Sequence, residues 1–360
     1  MKKYAIVSAT VLFVFAVVVF VSAGEVSWQD MSAGISGVNS VLIHPVDPRI
    51  IYTATDKGVF LSRDSGANWR NVLFTRGSSR RVNQLSFYPG DDDKLYAATE
   101  NGFFYSPDRG KSWKRIFRGK NYLENACVAA IVLPSGIFLG TRAGLFISKD
   151  NGKSWYKRGA DLGKSNILAI ACGRKDPATI YVVCARGLYI SRDAGLSWKR
   201  VFLSRLGSDA QSEEEPEDDE GGSDSDYPGH CAVESDRQGN IYLAISARLY
   251  KSQDQGVSWD LFAGYGLIGG DIRFLLAGGS SDLYAATKSG VFRFEGLRWQ
   301  ELSLGLYAGE VNSLALDSPG NLYAACARGL FKMVPEPSGQ KEGKDLFSIY
   351  ARGEPEINEV

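Results

Sequence analysis

Few of the side chains that carry out common enzyme chemistry are present in this chain of 360 residues. The two histidines, His44 and His230, are too few for the usual triads or imidazole-built metal centres. His44 precedes Pro45 at the end of an apolar run and reads as a turn residue. No G-x-S-x-G elbow, P-loop or H-E-x-x-H string occurs, so the nucleophile, nucleotide and zinc-hydrolase classes lack their usual supports. Five cysteines show no paired metal spacing. Glu124, Asp271 and Glu310 stand just before or at the start of apolar runs, where two carboxylates facing one channel would act as an acid/base pair. Nothing else supports catalysis. No catalytic residue, metal or cofactor is assigned from the sequence.

What does recur is S-x-D-x-G-x-x-W, at residues 62–69, 106–113, 148–155, 191–198 and 252–259, with a worn copy ending at Trp299. Each position has a local task. Ser and Asp oxygens accept backbone N–H groups inside a tight turn, Gly supplies a positive φ without steric cost, and Trp buries a large ring while one N–H seeks a partner. Asp64, Trp69, Asp108, Trp113, Asp150, Trp155, Asp193, Trp198, Asp254 and Trp259 therefore read as folding staples rather than ligand contacts.

A larger unit of about 40 residues, the period of propeller and solenoid arrays, positions these turns. Each unit holds an apolar first strand, a polar loop, a second strand, a short Gly turn, a third strand and the Asp turn. VNSVLIHPVDPRIIYTATDKGVF from Val38 and VNQLSFYPGDDDKLYAATENGFF from Val82 show the pattern. Further units start near Cys127, Ile167, Cys231, Asp271 and Val311, and the last stops near Met333 without an Asp turn or a Trp. Trp28 fills that gap. The seven tryptophans, from Trp28 to Trp299, are separated by 41, 44, 42, 43, 61 and 40 residues. The pattern predicts an all-β, seven-bladed β-propeller of four-stranded antiparallel blades over residues 24–333, the N-terminal strand closing the last blade. Closure of that kind removes the open sheet edges of an array.

Residues 1–23 stand apart. Lys2 and Lys3 precede an apolar run and the small residues Ser22 and Ala23, the pattern of a signal peptide cleaved after Ala23. The alternative is a retained membrane anchor, since the run approaches bilayer-spanning length. The propeller is expected to be exported, either periplasmic or secreted, or anchored on the outer side of the membrane. Cys184 and Cys326 replace Thr55, Thr99, Thr141 and Thr287 of other units, so the cysteines read as small buried residues rather than a disulfide framework. Residues 208–229 hold ten acids and no base, a composition that cannot bury enough apolar surface to fold, and are expected to form a disordered insert. Residues 334–360 read as a linker and tail.

In such a meander the first-to-second loops and the Asp turns share one face. The second-to-third turns and the blade-to-blade connections share the other. That second face is expected to carry Lys57, Arg142, Arg186, Arg248, Lys288 and Arg328, with Arg76, Arg80, Arg81, Arg118, Lys120, Lys164 and Arg205 in the connections. Cations around a channel steer acidic partners, so the first six form the candidate partner-binding set. The second unit departs with Glu100-Asn101, and Arg248 stands where other units have Gly. The acidic insert emerges on this face and is expected to compete there with an acidic partner.

The Asp turns following Y-x-A-T-x-x-G-(V/L)-F resemble the Asp-box, or bacterial neuraminidase, repeat over residues 25–333. The unit pattern is similar to the exported photosystem II assembly and stability factor group, in which a seven-bladed propeller with a basic surface binds a membrane-protein subunit during assembly. That resemblance implies a non-enzymatic, monomeric scaffold or assembly factor. Its partner would be a protein, an acidic segment or a membrane-protein assembly intermediate. No nucleic acid is expected, and membrane contact only through an uncleaved N-terminal segment. The alternative is a glycan-binding or sialidase-like glycoside-hydrolase propeller. Sialidases share the Asp box but use an arginine triad, a Tyr–Glu pair, an Asp and an Arg-Ile-Pro motif; the nearest string here, Asp47-Pro48-Arg49-Ile50-Ile51, lacks the final Pro. Xyloglucan hydrolases use two such propellers where this chain has one, and sortilin-type receptors use a ten-bladed ring.

Overall fold

The computed structural model describes residues 26–335, except 76–78, 160, 203–229, 263–264, 268–269, 280–281 and 307–308. The expected signal or anchor at 1–23, the acidic insert at 208–229, the tail beyond Pro335, Arg76 and Arg205 lie outside the described residues. The described residues form seven four-stranded antiparallel sheets. Among them no helix is long and apolar enough to cross a membrane.

The first blade shows the plan: β2 (Val38–Ile43), β3 (Ile51–Thr55), β4 (Gly58–Ser62) and β5 (Arg70–Leu73) follow one another across the sheet. The second-strand runs are buried along their length, as IYTAT at Ile51–Thr55, IYVVC at Ile180–Cys184 and LYAAC at Leu322–Cys326. A strand that alternated apolar and polar residues would have one wet face. These do not alternate, because both faces of each sheet are covered by neighbouring blades. Seven buried clusters result, one at each seam; one joins Tyr52 and Leu61 of the first blade to Val82 and Leu95 of the second. Burial at roughly 25 cal/mol per Å² of apolar surface makes these seams the main source of stability.

Closure happens as the tryptophan register predicts. In the last blade, β26 (Val311–Leu316), β27 (Leu322–Cys326) and β28 (Gly329–Pro335) are completed by β1 (Val26–Asp30), which lies beside β28. Leu330 O accepts from Met31 N at 2.9 Å, and Ala327 O accepts from Gly37 N at 2.7 Å. Three of the seven indoles follow a rule of their own. Trp28 Nε1 donates to Leu302 O at 2.6 Å, Trp69 Nε1 to Met31 O at 3.0 Å and Trp155 Nε1 to Ile116 O at 2.8 Å. Each acceptor lies three residues after the preceding tryptophan, so these indoles stitch one outer strand to the one before it.

The Asp turns repeat one network. Asp193 Oδ1 accepts from Ser191 Oγ at 2.8 Å and from Ser197 N at 2.8 Å, while Ser191 Oγ accepts from Gly195 N at 2.7 Å. The residue before each Gly is itself left-handed, with φ of 58° at Ser65, 58° at Arg109, 57° at Asn151, 53° at Ala194 and 63° at Gln255. The Gly that follows presses on the preceding blade: a Cβ at Gly152 would meet Ile116, and one at Gly256 would meet Ile190 and Val201. A second turn, D-x-x-G-N-(I/L)-Y, recurs in two blades. Asp236 Oδ2 accepts from Tyr242 Oη and Asp317 Oδ2 from Tyr323 Oη, each at 3.1 Å.

In four blades a Thr at the end of the second strand closes the next turn. Thr55 Oγ1 donates to Gly58 O at 2.9 Å, with equivalents at Thr99, Thr141 and Thr287. Cys184 and Cys326 occupy that place, and all five cysteines are unpaired thiols. The turn at Arg248 does differ: Arg248 takes the position of the usual Gly, and the positive φ moves to Ser246 at 52°.

Trp28→Ala removes a hydrogen bond from the closing strand to the sixth blade and a ring packed against the cluster between the sixth and seventh blades. It is expected to cost about 2–3 kcal/mol in urea unfolding, and a loss under about 0.5 kcal/mol, the scale of ordinary surface changes, would show that closure contributes little. Hydrogen bonds from Ser154, Ser197 and Ser258 hold Asp150, Asp193 and Asp254 down at about 2, and Asp64 and Asp108 also lie below the ordinary 3.8. A depressed folded-state value stabilises above the unfolded pKa and is lost as pH falls through the folded one. The urea midpoint should therefore fall between about pH 4 and pH 2, and Asp193→Asn should flatten that fall.

Candidate functional site

The first strands of all seven blades line a central channel, a cavity of about 1230 Å³. Six of these strands begin with a register shift, at Val38/Ser40, Val82/Gln84, Cys127/Ala129, Ile167/Ala169, Ile272/Phe274 and Val311/Ser313. A bulge of this kind re-aims one side chain. The residues so placed are Asn39, Asn83, Val128, Leu168, Arg273 and Asn312.

The polar ones tie each blade to the next. Asn39 Nδ2 donates to Val82 O at 3.0 Å, Asn83 Nδ2 to Cys127 O at 2.8 Å and Asn312 Nδ2 to Val38 O at 2.9 Å. Arg273 Nη1 donates to Asn312 Oδ1 at 2.7 Å. Blades three and four instead place Val128 and Leu168 at the mouth, which is therefore polar on one side and apolar on the other. The V-N pair recurring at 38–39, 82–83 and 311–312 was the available sequence signal for these tethers.

The second-to-third turns surround this mouth. Arg142 Nη2 meets Glu100 Oε1 at 3.0 Å, and Arg186 Nη1 meets Asp161 Oδ1 at 3.1 Å. Arg81 pairs with Asp56 at 3.1 Å and Arg273 with Glu310 at 2.9 Å. The inner ring is thus built of opposite charges rather than of cations alone. Glu100 is buried, with Asn83 as a second donor to the oxygen that Arg142 holds. Lys57, Arg248 and Lys288 are exposed and make no ion pair with a described residue, whereas Arg328 has a partner. The same face exposes Phe74, with Arg80 stacked 4.2 Å above its ring, and Tyr122 and Leu123 of the helical turn α1 (Tyr122–Asn125).

The carboxylates considered for acid/base work are already engaged. Glu124 Oε2 accepts from Lys120 N at 2.8 Å and Glu124 Oε1 from Lys157 Nζ at 3.1 Å, and the backbone donor above all pushes its pKa down. A general acid needs the opposite shift. Asp271 lies 3.9 Å from His230, whose own pKa is lowered by burial and then by Arg273, so this contact carries no full ion pair at neutral pH. Glu234, on the channel wall, is pushed up by burial and is held by Arg174 at 3.2 Å. His44 is a turn residue as expected: its Nδ1 accepts from Val46 N and Asp47 N at 3.3 and 3.2 Å. No cluster of metal-binding side chains occurs among the described residues.

No protein-family model matches the sequence, and no curated protein matches it. Solved structures do. The extracellular domain of a proposed one-component system from B. thetaiotaomicron superposes with a TM-score of 0.65 at 15% identity, over 85% of this chain and 40% of that one. A GH74 xyloglucanase from Xanthomonas campestris gives 0.57 at 20% identity, over 85% and 53%. YCF48 from Cyanidioschyzon merolae gives 0.59 at 15% identity, over 85% and 98%, and YCF48 has also been solved bound to a D1 peptide. The chain therefore spans two fifths to about half of the first two proteins and nearly all of the third. Identities this low establish the seven-bladed propeller and nothing finer.

Asn312→Ala leaves the Val38 carbonyl without its donor and Arg273 without one acceptor. We expect a loss of about 1–2 kcal/mol in urea unfolding, the cost of orphaning partly buried polar groups. An unchanged midpoint would show that water replaces the tether.

Proposed function

We propose that this chain is an exported, non-enzymatic Asp-box propeller that binds a protein partner through the face around the channel mouth. The observation carrying this reading is the pairing of exposed apolar side chains with cations that make no ion pair to a described residue, on one face. Phe74, Tyr122 and Leu123 are about half exposed there, and Lys57, Arg248 and Lys288 stand in the turns. Aromatic and arginine anchors surrounded by polar groups are the composition of protein-binding hot spots. These exposed cations favour an acidic segment as the element recognised and speed its encounter at low salt.

The engagement of Glu124, Asp271 and Glu310 by neighbouring groups supports binding over hydrolysis. A hydrolytic pair needs one carboxyl free to donate a proton and one free to attack or activate water. YCF48, which resembles this chain over nearly its whole length, was solved with a D1 peptide; binding of a peptide or of an assembling membrane protein is the corresponding role proposed here.

The reading is tested by affinity capture with the full exported chain from its native envelope, at low and high salt. Combined Lys57→Glu and Lys288→Glu substitutions should weaken capture of the partner by at least about tenfold, equivalent to 1.4 kcal/mol, with the unfolding midpoint unchanged. Equal capture by the variant, or turnover of an oligosaccharide by the intact chain, would overturn the proposal.

A further inference from the structure

On the face that carries the Asp turns, two blade seams are closed by an aromatic reaching across from the second strand. Tyr52 Oη donates to Arg109 O in the next Asp turn at 3.1 Å. Phe138 lies so near Gly195 that a Cβ there would collide with its ring. The seam between β15 (Ile180–Cys184) and β19 (Ile241–Ile245) is different. Tyr181 holds the equivalent position and packs in the seam cluster, but its hydroxyl makes no hydrogen bond to the described residues of the next Asp turn. The next Asp turn rests on Ile190 and Val201 instead, where a Cβ at Gly256 would stand 2.9 Å from Ile190 Cδ1. A cavity of about 340 Å³ opens in the space left.

Its floor is made by Tyr181 and Ser235 with Ile190 and Ile241, all at or below 5% exposure. Its rim is polar and comes from four separate turns: Lys175 and Asp176, Gln238, Arg192, and Gln253 with Gln255. Lys175 and Arg192 make no ion pair with a described residue. Lys175 Nζ reaches the Gln238 carbonyl at 3.5 Å, and Arg192 Nη2 donates to the Gln255 carbonyl at 2.6 Å. An ammonium has three donors and a guanidinium five, so both keep donors available. Asp176 accepts from Ala178 N at 3.0 Å and from Thr179 Oγ1 at 2.9 Å, leaving lone pairs over. The side-chain amides of Gln238, Gln253 and Gln255 have no hydrogen bond to a described residue.

Two cations without an ion pair to a described residue, three amides without a hydrogen bond to one, and a carboxylate line this seam, whereas Phe138 fills the corresponding place in the seam before it. Cations in this setting recognise a carboxylate, the Arg fork doing so bidentately. An amide offers both donors and an acceptor, which suits neighbouring hydroxyls rather than a bare anion. The volume lies at the low end of small-molecule sites, about 300–1,000 Å³, which fits a single ring. We propose that this fourth seam is a binding site for a hydroxylated carboxylate of one-ring size, a hexuronate unit of an acidic polysaccharide. The site lies on the opposite face from the channel mouth and does not depend on the protein-binding reading.

The test is titration of the full chain, followed by ligand-observed NMR, with D-glucuronate and D-galacturonate, and with glucose, acetate and inorganic phosphate as separate probes. One of the two uronates should bind, with glucose, acetate and phosphate each at least about tenfold weaker. Lys175→Gln and Gln253→Ala, neither of which breaks a side chain–side chain bond in the seam, should each weaken uronate binding by about five- to tenfold. Lys57→Glu on the other face should leave it unchanged. Absence of uronate binding, retention of it in both seam variants, or equal binding of acetate or phosphate would overturn the proposal; the last would mark a simple anion site.

Discussion

Each blade has two apolar faces and can bury neither alone. That constraint organises the molecule. A second strand such as Ile180–Cys184, buried at every residue, is stable only when sheets stand on both sides of it, so the array must continue until it meets its own beginning. Lending β1 to the last blade satisfies the seventh seam and leaves no terminal sheet uncovered. Once the ring is closed, the free edges of the first strands have only the channel to face. Asn39, Asn83, Arg273 and Asn312 answer that situation by bonding across the mouth to the next blade.

The Asp turns serve the same end from the outside. Their residue types look like a ligand site in isolation, since a carboxylate, hydroxyls and a glycine are gathered in eight residues. In place, the carboxylate is consumed by its own turn, and the glycine is needed where the turn meets the preceding blade. The non-glycine residue held left-handed just before it adds strain of about 1 kcal/mol, which the network and the seam contact offset. The turns' own carboxylates are thereby withdrawn from ligand contact, and the two surfaces proposed for binding are the channel mouth on one face and, on the other, a seam to which the turns lend only Arg192, Gln253 and Gln255.

Much of this architecture was legible in the sequence, because register leaves a periodic trace. The tryptophan spacing counts the blades, and Trp28 shows how the last one is completed. The charges at the mouth were less legible. Glu100 reads along the chain as a gap in a row of cations, yet it is the buried counter-ion of Arg142, 42 residues away. No periodic pattern reveals that, since the pair exists only because adjacent blades bring their turns together. The cleft at Tyr181 was invisible for a related reason. Tyr181 matches Tyr52 in the repeat, and only the position of the next Asp turn decides whether the ring closes the seam or leaves it open.

The central claim is that the channel-mouth face, rather than the Asp-turn face, meets the partner. A photocrosslinking residue placed at position 57 or 288 on the first face, and at position 46 or 196 on the second, tests it in the native envelope. The account predicts discrete protein adducts from positions 57 and 288 that vanish at high salt, and none from positions 46 and 196. Adducts formed only from positions 46 and 196 would contradict it.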